Sequence, residues 1–434
     1  MRVHSSGSAA GSKRNRVFAA LAIALGLVAG GRDASAAPAA QRQQPVRPDG
    51  PSAINFLGAA PPSSVFGQSV SFAYSVSGGG GMPACVAPTG TVDLVEGLTV
   101  IASGSVAGPI VTSALNIGVH SLFLRYNGDA NCSGSTSASF NYVVSKAAVN
   151  INLSSSPNPS RCGQLVTFTA TVTAASPGGG TPTGLVSFDD GDVHLATRAL
   201  SGGVATFTTT WLEVGLHVVR ATYEGDDRFT VGTSTTTDHT VIKSDSTVTL
   251  TRNPASNTVY GQYVEFVAQV SAVAPGAGTP SGFVLFEDNG NTIGVGFIDG
   301  TGKATFTTSS LDVGSHPMTA VYGGDDCFNG ASSGTVNHTV DQADTQVTLS
   351  RSTDCGSANP SRFGQRVFFT ALVEALAPGG GIPSGTVTFR DGATILENVD
   401  LNSDGSATLN IQSLIVGGHS ITATYNGSVN YNTS

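Results

Sequence analysis

Charge is scarce in this sequence, and its balance does not suit a nucleic-acid partner. Only 11% of the 434 residues are charged, against about 25% in a typical soluble protein. Acidic residues outnumber basic ones by 29 to 20, for a formal net charge of −9. Affinity for a phosphate backbone depends on clustered Lys and Arg, and no basic cluster follows the first residues of the chain. We therefore expect no nucleic-acid partner.

Long apolar runs are also missing, with one exception near the start of the chain. Three basic residues precede an apolar stretch at positions 17–31, and an A-x-A cleavage site follows at 34–36. A membrane span needs about 20 apolar residues, so the stretch is typical of a secretory signal peptide. We predict a signal peptide over residues 1–36, a Pro-rich linker over 37–51, and an exported chain that is secreted or at the cell surface. After signal removal no membrane span is expected, and an uncleaved N-terminal anchor is the alternative.

Motifs that carry catalysis are absent too. The sequence has no H-E-x-x-H and no Gly-rich phosphate loop entering a helix. Long amphipathic stretches of Leu, Glu, Lys and Ala are missing, whereas Gly, Ser and Thr are abundant. This composition indicates many short strands joined by turns. We predict that the protein is not an enzyme and has no catalytic or cofactor-binding residues.

Three short motifs are present instead, and they recur in a fixed order in four consecutive stretches. A Gly-Gln pair comes first, at 67–68, 163–164, 261–262 and 364–365. The motif L-x-[VI]-G-x-H follows, ending 52 to 54 residues after the Gln, and a Tyr stands six residues after each His. The histidines and tyrosines are His120, His217, His316, His419, Tyr126, Tyr223, Tyr322 and Tyr425. A period of about 96 to 103 residues indicates four copies of one structural unit.

Within each copy, apolar residues alternate with polar ones, which is the period of a half-buried strand. After each Gly-Gln pair the pattern is V-x-F-x-[AY]-x-V, and Gly/Pro/Asp turns separate further short strands. About seven strands in about 97 residues predict an all-β fold of immunoglobulin-like β-sandwiches. The predicted domains are residues 52–147, 148–244, 245–342 and 343–434, and the short junctions between them favour a rod-like array.

The combined pattern P-x-x-x-x-G-Q-x-V-x-F, P-x-G-x-V-x-F-x-D-G and L-x-x-G-x-H-x-h-x-A-x-Y-x-G-D resembles the bacterial Ig-like repeats strung along large exported and surface proteins. The resemblance covers about residues 52–434, and the second and third copies match best. It implies structural spacers or adhesin stalks, and it carries no catalytic residues. The first copy departs from the pattern at GGGGMPACVAPTG, and the fourth at YNGSVNY.

Each motif histidine is predicted to serve structure. At a spacing of two, His217, Val219, Ala221 and Tyr223 share one face of a strand. In Ig-like folds a Tyr near the start of strand F bonds to nearby backbone, and here His occupies that position. We interpret the four histidines as corner residues.

The acidic residues after the Tyr allow two interpretations. Asp226, Asp227, Asp325 and Asp326 lie in predicted loops, where paired carboxylates can supply oxygen ligands for Ca²⁺. The alternative is an Asp that bonds its own backbone and fixes the turn. Calcium needs six to eight oxygens, and no D-x-D-x-D-G loop provides them. We favour the turn and keep Ca²⁺ as the one cofactor hypothesis.

Five cysteines in an exported chain permit disulfides with one thiol left over. Cys85 and Cys132 lie in two loops at one predicted end of the first sandwich, so we predict a bond between them. Cys162 lies at the far end of the second unit, and Cys327 lies in a loop of the third unit that should face that end. A bond between these two units is geometrically possible, and it would leave Cys355 unpaired.

The sequence therefore predicts a non-enzymatic exported stalk or adhesion scaffold, with a protein or glycan at a cell surface as its partner. The alternative is a carbohydrate- or ligand-binding accessory region of a larger exported enzyme, in which the single tryptophan, Trp211, stacks on a sugar. The fourth copy stops about a dozen residues before the end of the last strand in the other copies. We therefore expect the sequence to be a fragment of a longer protein.

Overall fold

The computed structural model describes residues 50–78, 85–354, 356 and 360–434. The predicted signal peptide lies outside these residues, as do Cys355 and all but the last two residues of the predicted linker. The described residues form strands, turns and loops without a helix. None of them therefore builds a helix with the length and hydropathy of a membrane span. They fold into four consecutive β-sandwich domains, which is the predicted all-β architecture.

Domain 1 sets the pattern for the others. Its strands are β1 (Ser52–Ala60), β2 (Ser64–Val65), β3 (Val70–Gly78), β4 (Thr91–Glu96), β5 (Thr99–Ser105), β6 (Ile110–Thr112), β7 (Gly118–Tyr126), β8 (Ser135–Thr136) and β9 (Phe140–Ser145). One sheet has the order β1-β3-β6, and the other has the order β2-β9-β7-β4-β5 with β8 paired to β7. The pairs β1/β3 and β4/β7 are antiparallel, whereas β2 and β9 run parallel.

Domains 2 and 3 repeat this topology strand for strand. Domain 2 contains β10 (Val149–Ser156), β11 (Ser160–Arg161), β12 (Val166–Ala174), β13 (Leu185–Asp190), β14 (Val193–Ala199), β15 (Val204–Thr209), β16 (Gly215–Tyr223), β17 (Gly232–Thr233) and β18 (Thr237–Ile242). Domain 3 contains β19 (Ser246–Asn253), β20 (Thr258–Val259), β21 (Val264–Ala272), β22 (Phe283–Asp288), β23 (Asn291–Phe297), β24 (Lys303–Thr308), β25 (Gly314–Gly324), β26 (Asn329–Ser332) and β27 (Val336–Asp341).

Domain 4 has a smaller second sheet. Its strands are β28 (Thr345–Thr353), β29 (Val367–Ala375), β30 (Thr386–Asp391), β31 (Thr394–Asp400), β32 (Ser406–Ile411) and β33 (Ile421–Tyr425). The sheet β28-β29-β32 matches its counterparts, and the other sheet contains β31-β30-β33 alone. Between domains, only three residues separate the last strand of one from the first strand of the next, namely 146–148, 243–245 and 342–344.

The core of each sandwich comes from the alternating residues of its strands. In domain 2, Val166, Phe168, Ala170 and Val172 of β12 are at most 1% exposed. They face Val186 and Phe188 of β13 across the sandwich, and all belong to one apolar cluster. A fully buried Phe or Val side chain contributes about 1.5–3 kcal/mol. Each domain has such a cluster of its own, so the four cores are separate.

Equivalent strands and loops of the four domains share one set of names. Strand C is β4, β13, β22 or β30, strand F is β7, β16, β25 or β33, and strand G is β9, β18 or β27. The B–C loop precedes strand C, and the F–G loop follows strand F.

Candidate functional site

The motif histidine occupies a corner between strands C and F. In domain 2, Nδ1 of His217 lies 2.7 Å from Oδ2 of Asp190, and Nε2 lies 2.9 Å from the carbonyl oxygen of Glu213. The other oxygen of Asp190 accepts the N–H of Val218. A carboxylate and a carbonyl only accept hydrogen bonds, so the doubly protonated ring satisfies both contacts at once. In this form the histidine joins the two strands.

The same contacts recur in the other three domains. In each, Nδ1 of the histidine lies near a carboxylate oxygen and Nε2 lies near a backbone carbonyl oxygen. The two distances are 3.0 Å (Glu96) and 2.7 Å (Asn116) for His120, 2.7 Å (Asp288) and 2.8 Å (Asp312) for His316, and 2.5 Å (Asp391) and 2.8 Å (Ile415) for His419. The structural role of the histidine was predicted from the sequence, but its carboxylate partner was not. The signal was nevertheless present, because an acidic residue ends strand C in every copy.

The electrostatics of the corner follow from these partners. Burial alone would lower the pKa of His217, but the Glu213 carbonyl and the Asp190 carboxylate outweigh it and raise the pKa. The pKa of His316 is raised in the same way, against burial, by Asp288 and the carbonyl of Asp312. With both nitrogens occupied, neither histidine has a lone pair for a metal ion or for a proton taken from a substrate. The corner is therefore a structural ion pair.

The first acid after the motif Tyr fixes the F–G loop. Both oxygens of Asp226 accept two hydrogen bonds each, from N–H and Oγ1 of Thr183 and from the N–H groups of Arg228 and Phe229, at 2.7–2.9 Å. Burial would raise the pKa of Asp226, but these four donors lower it to about 2. Asp325 accepts the equivalent four bonds in domain 3. This geometry is that of a turn-fixing Asp.

The F–G loop leaves few carboxylate oxygens free to bind calcium. The oxygens of Asp226 and Asp325 are already occupied by protein donors, and Asp227 and Asp326 are exposed. In the described part of the chain, no group of three or more His, Cys, Asp or Glu side chains is arranged to hold a metal ion. The turn-fixing role of these Asp residues stays our favoured prediction, and calcium binding stays the alternative hypothesis.

The motif tyrosines are buried beneath the same loops. The hydroxyl of Tyr126 donates to the carbonyl of Thr89 at 2.6 Å, and that of Tyr425 donates to the carbonyl of Ser384 at 2.5 Å. Tyr223 and Tyr322 occupy the equivalent positions and are at most 1% exposed. The hydroxyls of Tyr126 and Tyr425 therefore connect the end of strand F to the B–C loop, and all four rings pack into the cores of their domains.

The four cysteines in the described part of the chain form two disulfides. Cys85 and Cys132 join the B–C and F–G loops of domain 1, with their Cα atoms 5.0 Å apart. Cys162 of domain 2 and Cys327 of domain 3 are joined across 165 residues of sequence, with their Cα atoms 5.5 Å apart. The second bond marks a larger feature, which is a joint that recurs wherever two domains meet.

The Gly-Gln pair forms one half of each joint. In domain 2 the side-chain oxygen of Gln164 accepts the N–H of Arg161 at 2.9 Å, and the N–H of Gln164 donates to the carbonyl of Arg161 at 3.0 Å. Gly163 lies between them with a φ of 75°, a conformation that residues with a side chain rarely adopt. The result is a tight turn at the end of the domain.

The absent side chain of this glycine makes room for the next domain. A Cβ on Gly67, Gly163 or Gly261 would lie 2.5, 2.0 or 2.6 Å from backbone atoms of the following B–C loop. On the fourth glycine, Gly364, a Cβ would meet nothing within 4 Å. The motif therefore positions one domain against the next, a role that was not predicted from the sequence.

The residue before the glycine makes the side-chain contact of each joint. Between domains 1 and 2, the ring of Phe66 lies edge-on to Phe229, and the guanidinium of Arg228 stands 4.9 Å from its centroid. Between domains 2 and 3 the contact is the Cys162–Cys327 disulfide. Between domains 3 and 4 the contacting rings are Tyr260 and Tyr431, with centroids 5.4 Å apart. The corresponding residue of domain 4, Phe363, is 77% exposed.

Each linker adds a backbone bridge to its joint. The N–H and carbonyl of Ala147 bond to the carbonyl of Arg228 (3.0 Å) and the N–H of Thr230 (2.9 Å). Ser244 bonds likewise to Cys327 and Asn329, and Ala343 bonds to Asn430 and Asn432, at 2.8–3.0 Å. Both bonds of each linker residue go to the F–G loop of the following domain, so they fix the linker to that domain.

Trp211 stands beside the middle joint. Its side chain is 82% exposed, and it lines an open groove of about 460 Å³ with Cys162, Glu213 and Cys327. An exposed indole beside a carboxylate can stack on an apolar ring face.

Three solved structures are among the known proteins to which this chain is similar. Among solved structures, the fibronectin(III)-like modules of Clostridium thermocellum CbhA match at 23% identity over 44% of this chain and 93% of that chain, with a TM-score of 0.19. Sidekick-1 immunoglobulin domains 1–5 match at 12% identity over 82% and 73%, with a TM-score of 0.24. Titin domains A168–A170 match at 13% identity over 66% and 96%, with a TM-score of 0.28.

No curated protein matches the chain. The model of the bacterial Ig-like domain (group 3) matches it four times, at residues 57–145, 153–242, 250–341 and 355–434. Domains of this kind are generally non-catalytic and typical of extracellular bacterial proteins. The chain belongs to the bacterial Ig-like domain (group 3) family, with four tandem copies.

Proposed function

We propose that the protein is an exported, non-enzymatic stalk that spaces or presents a binding surface at the cell exterior. The observation that supports it best is the joint, which is built from the same three parts at all three domain boundaries. A Gly-Gln turn, a side-chain contact and a linker bridge occur each time. Independent beads on a flexible tether would need none of these.

The physical role of the joints is to resist bending. A three-residue linker limits the reach between domains, and the two hydrogen bonds of its central residue fix it to the F–G loop of the following domain. The middle joint is covalent, so it persists in the oxidising surroundings in which disulfides form. A chain of sandwiches held in this way keeps its two ends at a nearly fixed distance from each other.

Small-angle X-ray scattering of the full chain tests the stalk. With each unit about 30–40 Å long, four stiffly joined units should reach about 120–160 Å, for a radius of gyration of about 40 Å. A chain of this size folded back into one compact body would give about 22 Å, and that value would reject the stalk. Export is tested separately, by the protease sensitivity of the protein on intact cells.

A second candidate function rests on Trp211. Its exposure beside the groove favours a weak glycan contact at the middle joint, in the manner of an accessory binding module. A glycan array probed with the full chain and with Trp211→Ala decides this, because a signal that survives the substitution does not come from this residue.

A further inference from the structure

Strand G of domains 2 and 3 places a second histidine directly opposite the corner histidine of strand F. His239 pairs with His217 in domain 2, and His338 pairs with His316 in domain 3. Opposite residues of an antiparallel pair have Cβ atoms about 4.5–5.5 Å apart, and like charges at these positions are destabilising. Because the two contacts of the corner histidine favour its charged form, a charge on the histidine opposite it is disfavoured.

Both strand G histidines are fully buried, and in domain 2 the ring has two hydroxyl partners. The ring nitrogens of His239 lie 2.9 Å from the hydroxyl oxygen of Ser160 and 3.1 Å from that of Ser155. A hydroxyl can donate or accept a hydrogen bond. Both contacts therefore survive when this ring takes up a second proton.

Domain 3 replaces one of these hydroxyls by a cation. Nε2 of His338 lies 2.9 Å from the hydroxyl oxygen of Thr258, but Nδ1 lies 2.6 Å from Nη1 of Arg252. The same guanidinium nitrogen also donates to the carbonyl oxygen of Ser256 at 2.8 Å. A guanidinium only donates hydrogen bonds, so Nδ1 accepts here and the neutral ring carries its proton on Nε2. A second proton, on Nδ1, would remove this bond and face the N–H of a cation.

The side chains that face His338 come from four neighbouring strands, and two of them carry positive charge. They are Arg252 of β19, Thr258 of β20, Phe266 of β21 and His316 of β25. Burial first, and then the charges of Arg252 and His316, lower the pKa of His338 to about 4. The unfolded value is about 6.5, so between these values folded domain 3 binds fewer protons than the unfolded chain. Its stability therefore falls as the pH falls from 6.5 toward 4.

Strand G of domain 3 also anchors the third joint. β27 ends at Asp341, and the linker 342–344 follows at once. The carbonyl of Asp341 accepts the N–H of Tyr260 at 2.9 Å, and β20, which pairs with β27, leads directly into Tyr260 and Gly261. The linker and the Gly-Gln turn of this joint are therefore both attached to β27.

We propose that the third joint is an acid-sensitive hinge, in which protonation of His338 detaches strand G of domain 3 and so frees the linker and the Gly-Gln turn that hold domain 4. Domain 2 is less sensitive, because Ser155 stands opposite Phe168 where Arg252 stands opposite Phe266. Domain 1 lacks the device, since Tyr142 lies opposite its corner histidine.

Hydrogen exchange of the full chain at pH 7 and pH 5 tests the hinge, with each rate divided by the intrinsic rate of the same amide at that pH. The reference is His338→Tyr, which carries the residue of domain 1. Relative to it, the unsubstituted chain should lose at least tenfold in the protection of β27 and of the Gly380 amide between pH 7 and pH 5. Arg252→Ser, which carries the residue of domain 2, should reduce this loss. As a matched control, His239→Tyr should change the pH dependence of β18 by less than His338→Tyr changes that of β27.

Three results would overturn the proposal. They are equal losses of protection in β27 and β18 of the unsubstituted chain, a loss in β27 that Arg252→Ser leaves unchanged, and a loss in β27 without one at Gly380. The first comparison needs no substitution, and protection of β21 and β24 at pH 7 shows that domain 3 is folded in each variant. Scattering at pH 7 tests the stalk and the change with pH tests the hinge, so each can fail without the other.

Discussion

Replacing the joint glycines by alanine one at a time should separate two effects, which are the strain of a left-handed backbone and the clash of a Cβ with the next domain. Gly261 and Gly364 have nearly equal φ values, 80° and 77°. Alanine at either position therefore carries the same cost of about 1–2 kcal/mol for a left-handed backbone. Only Gly261 faces a neighbour, because a Cβ there would lie 2.6 Å from the backbone of Gly380. Gly364→Ala is thus the matched control for Gly261→Ala.

The magnitude depends on the contacts that the third joint would lose. The N–H of Gly380 donates to the carbonyl of Tyr260 at 3.1 Å, a bond worth about 0.5–1.5 kcal/mol. The contact between Tyr260 and Tyr431 adds about 0.5–1.5 kcal/mol. If a Cβ forces the two surfaces apart, both contributions are lost. The equilibrium for opening the joint then shifts by about 1–3 kcal/mol, or roughly 5- to 150-fold.

Hydrogen exchange of the full chain measures this directly. In Gly261→Ala, the amide of Gly380 should exchange at least fivefold faster than in the unsubstituted chain, whereas Gly364→Ala should leave its exchange rate unchanged. Amides in the centre of β29 should be equally protected in both variants, which excludes unfolding of domain 4 as the cause. Equal exchange at Gly380 in the two variants would refute the docking role of the Gly-Gln turn.

Three further predictions concern the corner, the disulfides and the F–G loop. Because the pKa of His217 and His316 is raised in the folded state, the stabilisation is complete below the unfolded value of about 6.5 and is lost as the pH rises through the folded pKa. His217→Ala should therefore lower the free energy of unfolding of domain 2, measured by hydrogen exchange, by about 1–3 kcal/mol at pH 6 and by less at pH 9. A loss below 0.5 kcal/mol at pH 6, or a loss that grows with pH, would contradict the role of His217 in the corner. Mass mapping without reductant should recover a peptide pair joined through Cys162 and Cys327, and free thiols at both positions would exclude the bond. Calcium should leave the melting temperature unchanged because the oxygens of Asp226 are occupied, and a rise would restore the calcium hypothesis.

The sequence predicts local features well and contacts between distant segments poorly. Alternation of period two identifies the strands and their buried faces, since that pattern is a property of one strand alone. Two-residue strands such as β2 and β11 escape it, because two residues show no period. The carboxylate of Asp190 was missed because it lies 27 residues from His217 in the chain, and only the pairing of β13 with β16 brings them together. The predictions on cofactor, partner and export concern other molecules and cell compartments. They stay predictions, because the geometry of one chain does not test them.

The Gly-Gln turn shows a different limit. A glycine at positive φ in a tight turn has a sufficient explanation within its own domain, so nothing in a single copy points to a neighbour. The turn role and the docking role separate only when the glycines are compared. A Cβ would clash with the next domain at Gly67, Gly163 and Gly261 but would meet nothing within 4 Å at Gly364.

In the three joints, backbone contacts set the geometry of the domain boundary, and side-chain contacts set how strongly it is held. The turn, the linker bridge and the approach of the B–C loop are the same at each boundary, and they depend on glycine and on backbone hydrogen bonds. The side-chain contact differs each time: Arg228 on Phe66, then a disulfide, then Tyr260 on Tyr431. Arg228 and Cys327 stand at the same place in their loops, two residues after the turn-fixing Asp. A cation–π contact contributes about 0.5–2 kcal/mol, whereas a disulfide cannot open without reduction. One geometry therefore carries joints of graded strength, and under tension we expect the first and third joints to open before the disulfide-linked second one.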